Sequence, residues 1–129
     1  MSVTVMAWLF VILASPLLAA FAVALGFSLP ADGYREVAVM LIIFPFLEEW
    51  VFRALLQEEL ARRWPHVVWP NLLSSSIFVL FHWQGQGLYL LAWFIPALVL
   101  GEAWRRHGSL PLNVFLHAWF NLSLWVAGR

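Results

Sequence analysis

Cysteine is absent from the 129 residues. That excludes disulfides, thiolate metal sites and a cysteine nucleophile. Lysine is absent too: all seven basic residues are arginine, and seven acidic residues balance them to a net charge of zero. Nothing in that balance points to nucleic acid. Charge of either sign is scarce, at 11%. No internal repeat or low-complexity stretch occurs, and there is no His-Glu-x-x-His pair of the kind that binds zinc on one helix face. The first apolar stretch lacks a basic leader and is too long for a signal-peptide core, so it reads as a retained helix. What the chain does have is apolar surface: 64% hydrophobic residues, with nine Trp and eleven Phe. A soluble domain of this size has no interior large enough to hide so much, and the solvent implied is lipid.

Apolar runs separated by polar or turn-forming residues predict an all-α fold, a single domain over 1–129 built as a polytopic bundle of about five transmembrane helices. The runs are Val3 to Leu29, Val37 to Leu56, Val67 to His82, Leu88 to Trp104 and Leu110 to Val126. Pro30-Ala-Asp-Gly33, the polar stretch Gln57 to Arg63 and Gln84-Gly-Gln-Gly87 separate them. With that topology, Arg62, Arg63, Arg105 and Arg106 lie on the side of the N-terminus, against Arg35 and Arg129 on the other. The positive-inside rule then puts the N-terminus in the cytoplasm. Trp64, Trp69, Trp83 and Trp104 fall near span ends, where interfacial anchors belong.

The second run contains three formal charges: Glu48, Glu49 and Arg53. A charged group at the centre of a lipid-facing helix costs roughly 2.5 to 3.5 kcal/mol on insertion scales, so the three must face inward. Glu49 and Arg53 are four residues apart in the favourable acid-first order and form a supporting charge pair. Glu48 is rotated about 100° from Glu49 and is left spare. Pro45 cannot donate to the Leu41 carbonyl and should kink the helix just before the glutamates. The other polar groups inside the runs are His82, His117 and Asn121, with Glu102 near a span end; His117 and Asn121 share one helix face.

Taken singly, each has a bland reading. A Glu–Arg pair serves as structural glue, His82 beside Trp83 sits at an interface, and Asn121 bonds between helices. Ser74, Ser75 and Ser76 permit close packing rather than attack a carbonyl, and His66 and His107 have no evident role. The conjunction of a spare carboxylate, two histidines and an amide on three helices is harder to account for as glue. A carboxylate with a histidine can deprotonate water and return the proton to a leaving amine. A second histidine and an asparagine can donate to an oxyanion, at roughly 3 to 4 kcal/mol each in a shielded site. That is an amide hydrolase without a covalent nucleophile and without a cofactor. The alternative is Zn²⁺ held by Glu48, Glu49, His82 and His117, although Arg53 offsets part of the negative charge a cation needs.

These residues also stand in a familiar order. Glu48-Glu49-Trp-Val-Phe-Arg53, then Phe78-Val-Leu-Phe-His82, then His117-Ala-Trp-Phe-Asn121 resemble the Glu-Glu-x-x-x-Arg, Phe-x-x-x-His and His-x-x-x-Asn motifs of the CPBP intramembrane proteases. That family includes CAAX prenyl endopeptidases and bacteriocin-processing or immunity proteins. Ser74-Ser-Ser76 and Gly108-Ser-Leu-Pro111 agree with the flanks, and the resemblance covers about residues 36–126. It implies an intramembrane endopeptidase of glutamic type cutting a membrane-anchored protein or peptide near its anchor or C-terminal tail. Glu48 and His82 would activate water, and His117 and Asn121 would hold the oxyanion. It also implies a multi-pass protein of a bacterial inner membrane. The short chain is similar to small members paired with C-terminal sorting signals of the JDVT type. Ala54, where many members carry Gly, and the lack of extra helices depart from the pattern, and the second departure bears on the breadth of the substrate cavity. Two rivals stand beside this reading: a non-enzymatic immunity or scaffold protein, and a proton-coupled transporter, against which the lack of a repeat counts.

Overall fold

Alternating long apolar runs fold here as helix after helix. The computed structural model describes residues 3–24, 33–83 and 90–129. The predicted turns at Pro30 to Asp32 and Gln84 to Gly87, with the ends of the runs that flank them, lie outside the described residues. Within them there are five helices and no strand. They are α1 (Val3–Ala24), α2 (residues 34–63), α3 (Trp69–Phe81), α4 (Leu90–His107) and α5 (Leu110–Ala127). Helices α2, α3, α4 and α5 form a ring in which each packs on the next and α5 closes on α2; α1 lies outside the ring against α5.

Helix α2 is not uniform. Its winding alternates between α and π: Tyr34–Ala38, then the π turn Val39–Ile43, then Phe44–Glu49, then the π stretch Trp50–Gln57, then Glu58–Arg63. Each junction residue keeps right-handed helical torsions, so the chain runs through without a break. Around Pro45, where the sequence predicts a kink, the winding passes from a π turn to an α turn. Phe44 donates its N–H to Val39 O, and Pro45 has no N–H to give. The Met40 carbonyl thereby loses both its α and its π donor. The helix also continues past the predicted span end, and Gln57, expected in a polar exit, is buried in the ring.

Packing follows from which faces are small and which are large. On α1, Leu9, Leu13, Leu17 and Phe21 recur every four residues and stay exposed, as a lipid-facing stripe does, whereas Ser15, Ala19 and Ala22 are buried. Small residues let two membrane helices approach closely, and Ala19 and Ala22 meet Leu124 of α5. Inside the ring Phe52, Phe78, Val79 and Ala97 join α2, α3 and α4, while Leu100, Ala103, Leu116 and Phe120 join α4 to α5. Gly108 ends α4 with φ +55°, a conformation glycine adopts without steric cost. The Ser109 side chain then accepts from Leu112 N–H at 3.3 Å and starts α5. The α2–α3 and α4–α5 connections bring Arg62, Arg63, Arg105 and Arg106 to one end of the bundle. Arg63 and Arg62 both bond Glu59 and hold its carboxyl below the ordinary value, while Arg105 and Arg106 share Glu102. The N-terminal part of α1 is at that end too, where Trp8 donates to His107 at 2.8 Å.

Among the described residues, two helices, α1 from Val5 to Ala24 and α5, are long and apolar enough to cross a membrane by length and composition. Helix α2 carries Glu49 and Arg53 fully buried inside the ring.

Candidate active site

Glu48 and Glu49 close the last α turn of α2 before the long π stretch. Consecutive residues on a helix point about 100° apart, and that rotation separates their surroundings. Glu49 points into the ring and is fully buried; the Glu48 side chain is 22% exposed.

Glu49 meets three side chains from two helices, α5 and α2. Its Oε1 accepts from His117 Nδ1 at 2.8 Å and its Oε2 accepts from Asn113 Nδ2 at 2.8 Å. Arg53 lies one turn on, with Nε 3.5 Å from Oε2. That is an ion pair, but it lacks hydrogen-bond geometry, and Arg53 Nε has no acceptor among the described residues. The guanidinium gives its hydrogen bonds elsewhere: to Ala97 O at 2.7 Å, to Gln57 Oε1 and Ser75 Oγ at 3.2 Å, and to Ser74 Oγ at 3.4 Å. Gln57 in turn donates to Gly101 O at 2.8 Å. The Glu49–Arg53 pair is thus present, but the partners that orient Glu49 are His117 and Asn113. Ser74 and Ser75 are packed small residues, as expected, and Arg53 ligands besides.

Glu48 faces two imidazoles. His82 Nε2 lies 3.2 Å from Oε1 and His117 Nε2 lies 3.3 Å from Oε2. The opposite nitrogen of each ring is already engaged. His82 Nδ1 is 2.8 Å from Phe78 O, and since a carbonyl only accepts, Nδ1 carries the hydrogen. His117 Nδ1 faces the Glu49 carboxylate, surrounded by donors, and donates likewise. The His82 Nε2–Glu48 hydrogen bond therefore needs a proton between its two atoms, and His117 Nε2 and Glu48 Oε2, 3.3 Å apart, lie close enough to exchange one. A carboxylate that can hand protons to, or take them from, two fixed imidazoles is equipped for general acid–base chemistry. The rings are held in place: His82 stacks on Trp93 with centroids 5.3 Å apart, and Phe78 packs against both histidines.

Three of the four residues read from sequence as catalytic, Glu48, His82 and His117, thus meet in one cluster at the C-terminal end of α3. The fourth does not touch them. Asn121 is buried one turn beyond His117, and its Nδ2 donates at 3.0 Å to Met40 O, the carbonyl that Pro45 leaves without a donor. Its Oδ1 has no donor among the described residues. His66 and His107 stay outside the cluster: His66 Nδ1 accepts from Val68 N–H, and His107 from Trp8. Among the described residues, no group of three or more His, Cys, Asp and Glu side chains is arranged as a metal-ligand set.

Sequence reading missed Asn113 and Gln57. A signal for both existed. Glu49, Arg53 and Gln57 are spaced four apart on α2, and Asn113, His117 and Asn121 are spaced four apart on α5. Each set is a three-residue polar stripe on one face of an apolar helix.

A family model described as Rce1-like, type II CAAX prenyl endopeptidase, matches residues 30–123. The family comprises integral membrane proteases acting on membrane-anchored protein substrates. No curated protein and no solved structure matches the chain. The matched stretch holds Glu48, Glu49, Arg53, His82, His117 and Asn121, which lie on the three helices whose side chains build the cluster. By that match the chain belongs to the Rce1-like family of type II CAAX prenyl endopeptidases, integral membrane hydrolases.

Proposed function

We propose that this protein is a glutamic-type intramembrane endopeptidase that uses no metal and cuts a membrane-anchored substrate near its anchor or C-terminal tail. The observation that carries the reading is Glu48 held between His82 and His117, 3.2 and 3.3 Å from their Nε2 atoms. In the reaction, Glu48 takes a proton from a water beside His82 as the water oxygen bonds to the scissile carbonyl carbon. The oxyanion that develops accepts hydrogen bonds from Asn121 and from His117, whose Nε2, bare in the resting Nδ1–H tautomer, comes to share with Glu48 the proton taken from the water. Asn121 already gives one N–H to Met40 O, so the second serves here. The proton on Glu48 then passes to the departing amine as the C–N bond breaks, leaving a new carboxyl end and a free amine.

The test pairs the protein with tail-anchored candidates, including proteins bearing a JDVT-like C-terminal signal, and weighs the products by mass. Wild type should cleave, and should go on cleaving in EDTA or 1,10-phenanthroline; Glu48→Gln should not cleave. Loss of activity to chelators with recovery on adding Zn²⁺ would replace this mechanism with a zinc-dependent one. Equal products from wild type and Glu48→Gln would remove Glu48 from the chemistry, and no product from wild type would leave an immunity or scaffold role instead.

A further inference from the structure

Asn113 sits one turn before His117 on α5, fully buried, and its Nδ2 donates both to Glu49 Oε2 and to Leu100 O, each at 2.8 Å. Both neighbours are acceptors, a carboxylate and a carbonyl. The chemistry therefore assigns the amide: nitrogen faces them and Oδ1 faces away. With Asn113 on one oxygen of Glu49 and His117 Nδ1 on the other, the carboxylate plane cannot turn. Arg53 does not perform this task. It offsets the charge from 3.5 Å but directs its hydrogen bonds at Ala97, Gln57 and the serines.

We propose that Asn113 is a positioning residue for hydrolysis: by clamping Glu49 it fixes the tautomer and direction of the His117 ring, so that Nε2 is aimed at Glu48. The step from clamp to rate rests on the hydrolytic reading above; the step from clamp to tautomer does not. The relay is Asn113 to Glu49 to His117 to Glu48, with contacts of 2.8, 2.8 and 3.3 Å. An imidazole takes its tautomer from the partner of its other nitrogen, and outer partners that orient a working histidine are worth about 10- to 100-fold in activity. A purely structural Asn113 would act instead through its bond to Leu100 O, which ties α5 to α4 and does not touch the histidine.

Nitrogen-15 spectra of histidine-labelled protein in micelles separate the two roles, with the His117 signal identified by its loss in His117→Gln. In wild type His117 should carry its hydrogen on Nδ1, and a bare Nδ1 there overturns the proposal without any variant having to fold. In Asn113→Ala that fixed tautomer should give way to a mixture, and kcat should fall about 10- to 100-fold with KM little changed. A folded Asn113→Ala with an unchanged His117 spectrum also overturns it, whatever happens to the rate. If wild type cleaves nothing yet the spectra change as described, the hydrolytic reading fails while the clamp stands.

Discussion

Replacing Glu48 by Gln keeps the shape of a partly exposed side chain and removes its capacity to take a proton. Folded yield should therefore match wild type while cleavage disappears, as read by size-exclusion chromatography and product mass. Glu49→Gln and Arg53→Ala should behave differently. Each strips one partner from a fully buried ion pair, and breaking such a pair costs about 3–5 kcal/mol. Thermal unfolding in micelles should show both losing stability, with Glu49→Gln also losing activity because His117 Nδ1 no longer meets a carboxylate. Equal yields for all three variants would falsify this division. Asn121→Ala should lower kcat by roughly 10²–10³, the usual effect of losing one oxyanion donor. It should also lower stability by about 1–3 kcal/mol, because the Met40 carbonyl is left buried and unpaired.

At the scale of the element, that carbonyl links the winding of α2 to α5. Pro45 withholds the N–H that Met40 O would otherwise receive, and Asn121 supplies one from across the bundle. Alanine at 45 restores a backbone donor. The stability penalty of Asn121→Ala should then shrink in a Pro45→Ala background, a coupling measurable by a double-mutant cycle; strict additivity would refute the link. A second element-level constraint is on α4. A Cβ on Gly101 would run into the Asn71 amide. That amide cannot step aside, since it donates to Leu98 O at 2.9 Å and accepts from Ser75 at 2.9 Å. Overpacking at such a point costs about 1–3 kcal/mol, so Gly101→Ala should lower the melting temperature and loosen the Gln57 and Ser75 contacts that steady Arg53.

For the molecule as a whole, the absence of cysteine is an experimental convenience. Trp64 lies at the arginine-rich end, whereas Gly128 packs near Val23 at the far end of α1. Single cysteines at 64 and 129 should be labelled by an impermeant thiol reagent from opposite faces of the membrane, with position 64 on the cytoplasmic one. Labelling of both from one face would undo the arrangement of crossings. Helix α3 has 13 residues, about 20 Å at 1.5 Å per residue, against about 30 Å for the hydrocarbon core. Helix α3 is thus shorter than the hydrocarbon core is thick.

Much was legible without coordinates. Composition declared the solvent, and the long apolar runs declared the helices, because a chain in lipid must satisfy its backbone internally. Three charges in one apolar run declared an inward-facing site, since facing lipid is too costly. The motif spacings named Glu48, His82 and His117, which periodicity alone can place on a face but not bring together. Tertiary structure decided their partners. Local spacing pairs Glu49 with Arg53 at i and i+4, yet Asn113 and His117, more than sixty residues away, take its hydrogen bonds. Nor could spacing show that α2 would wind partly as a π helix, or that Asn121 would serve Met40 as its donor. Those outcomes depend on which backbone and side-chain groups are left unpaired once five helices have packed, and sequence distance does not record that.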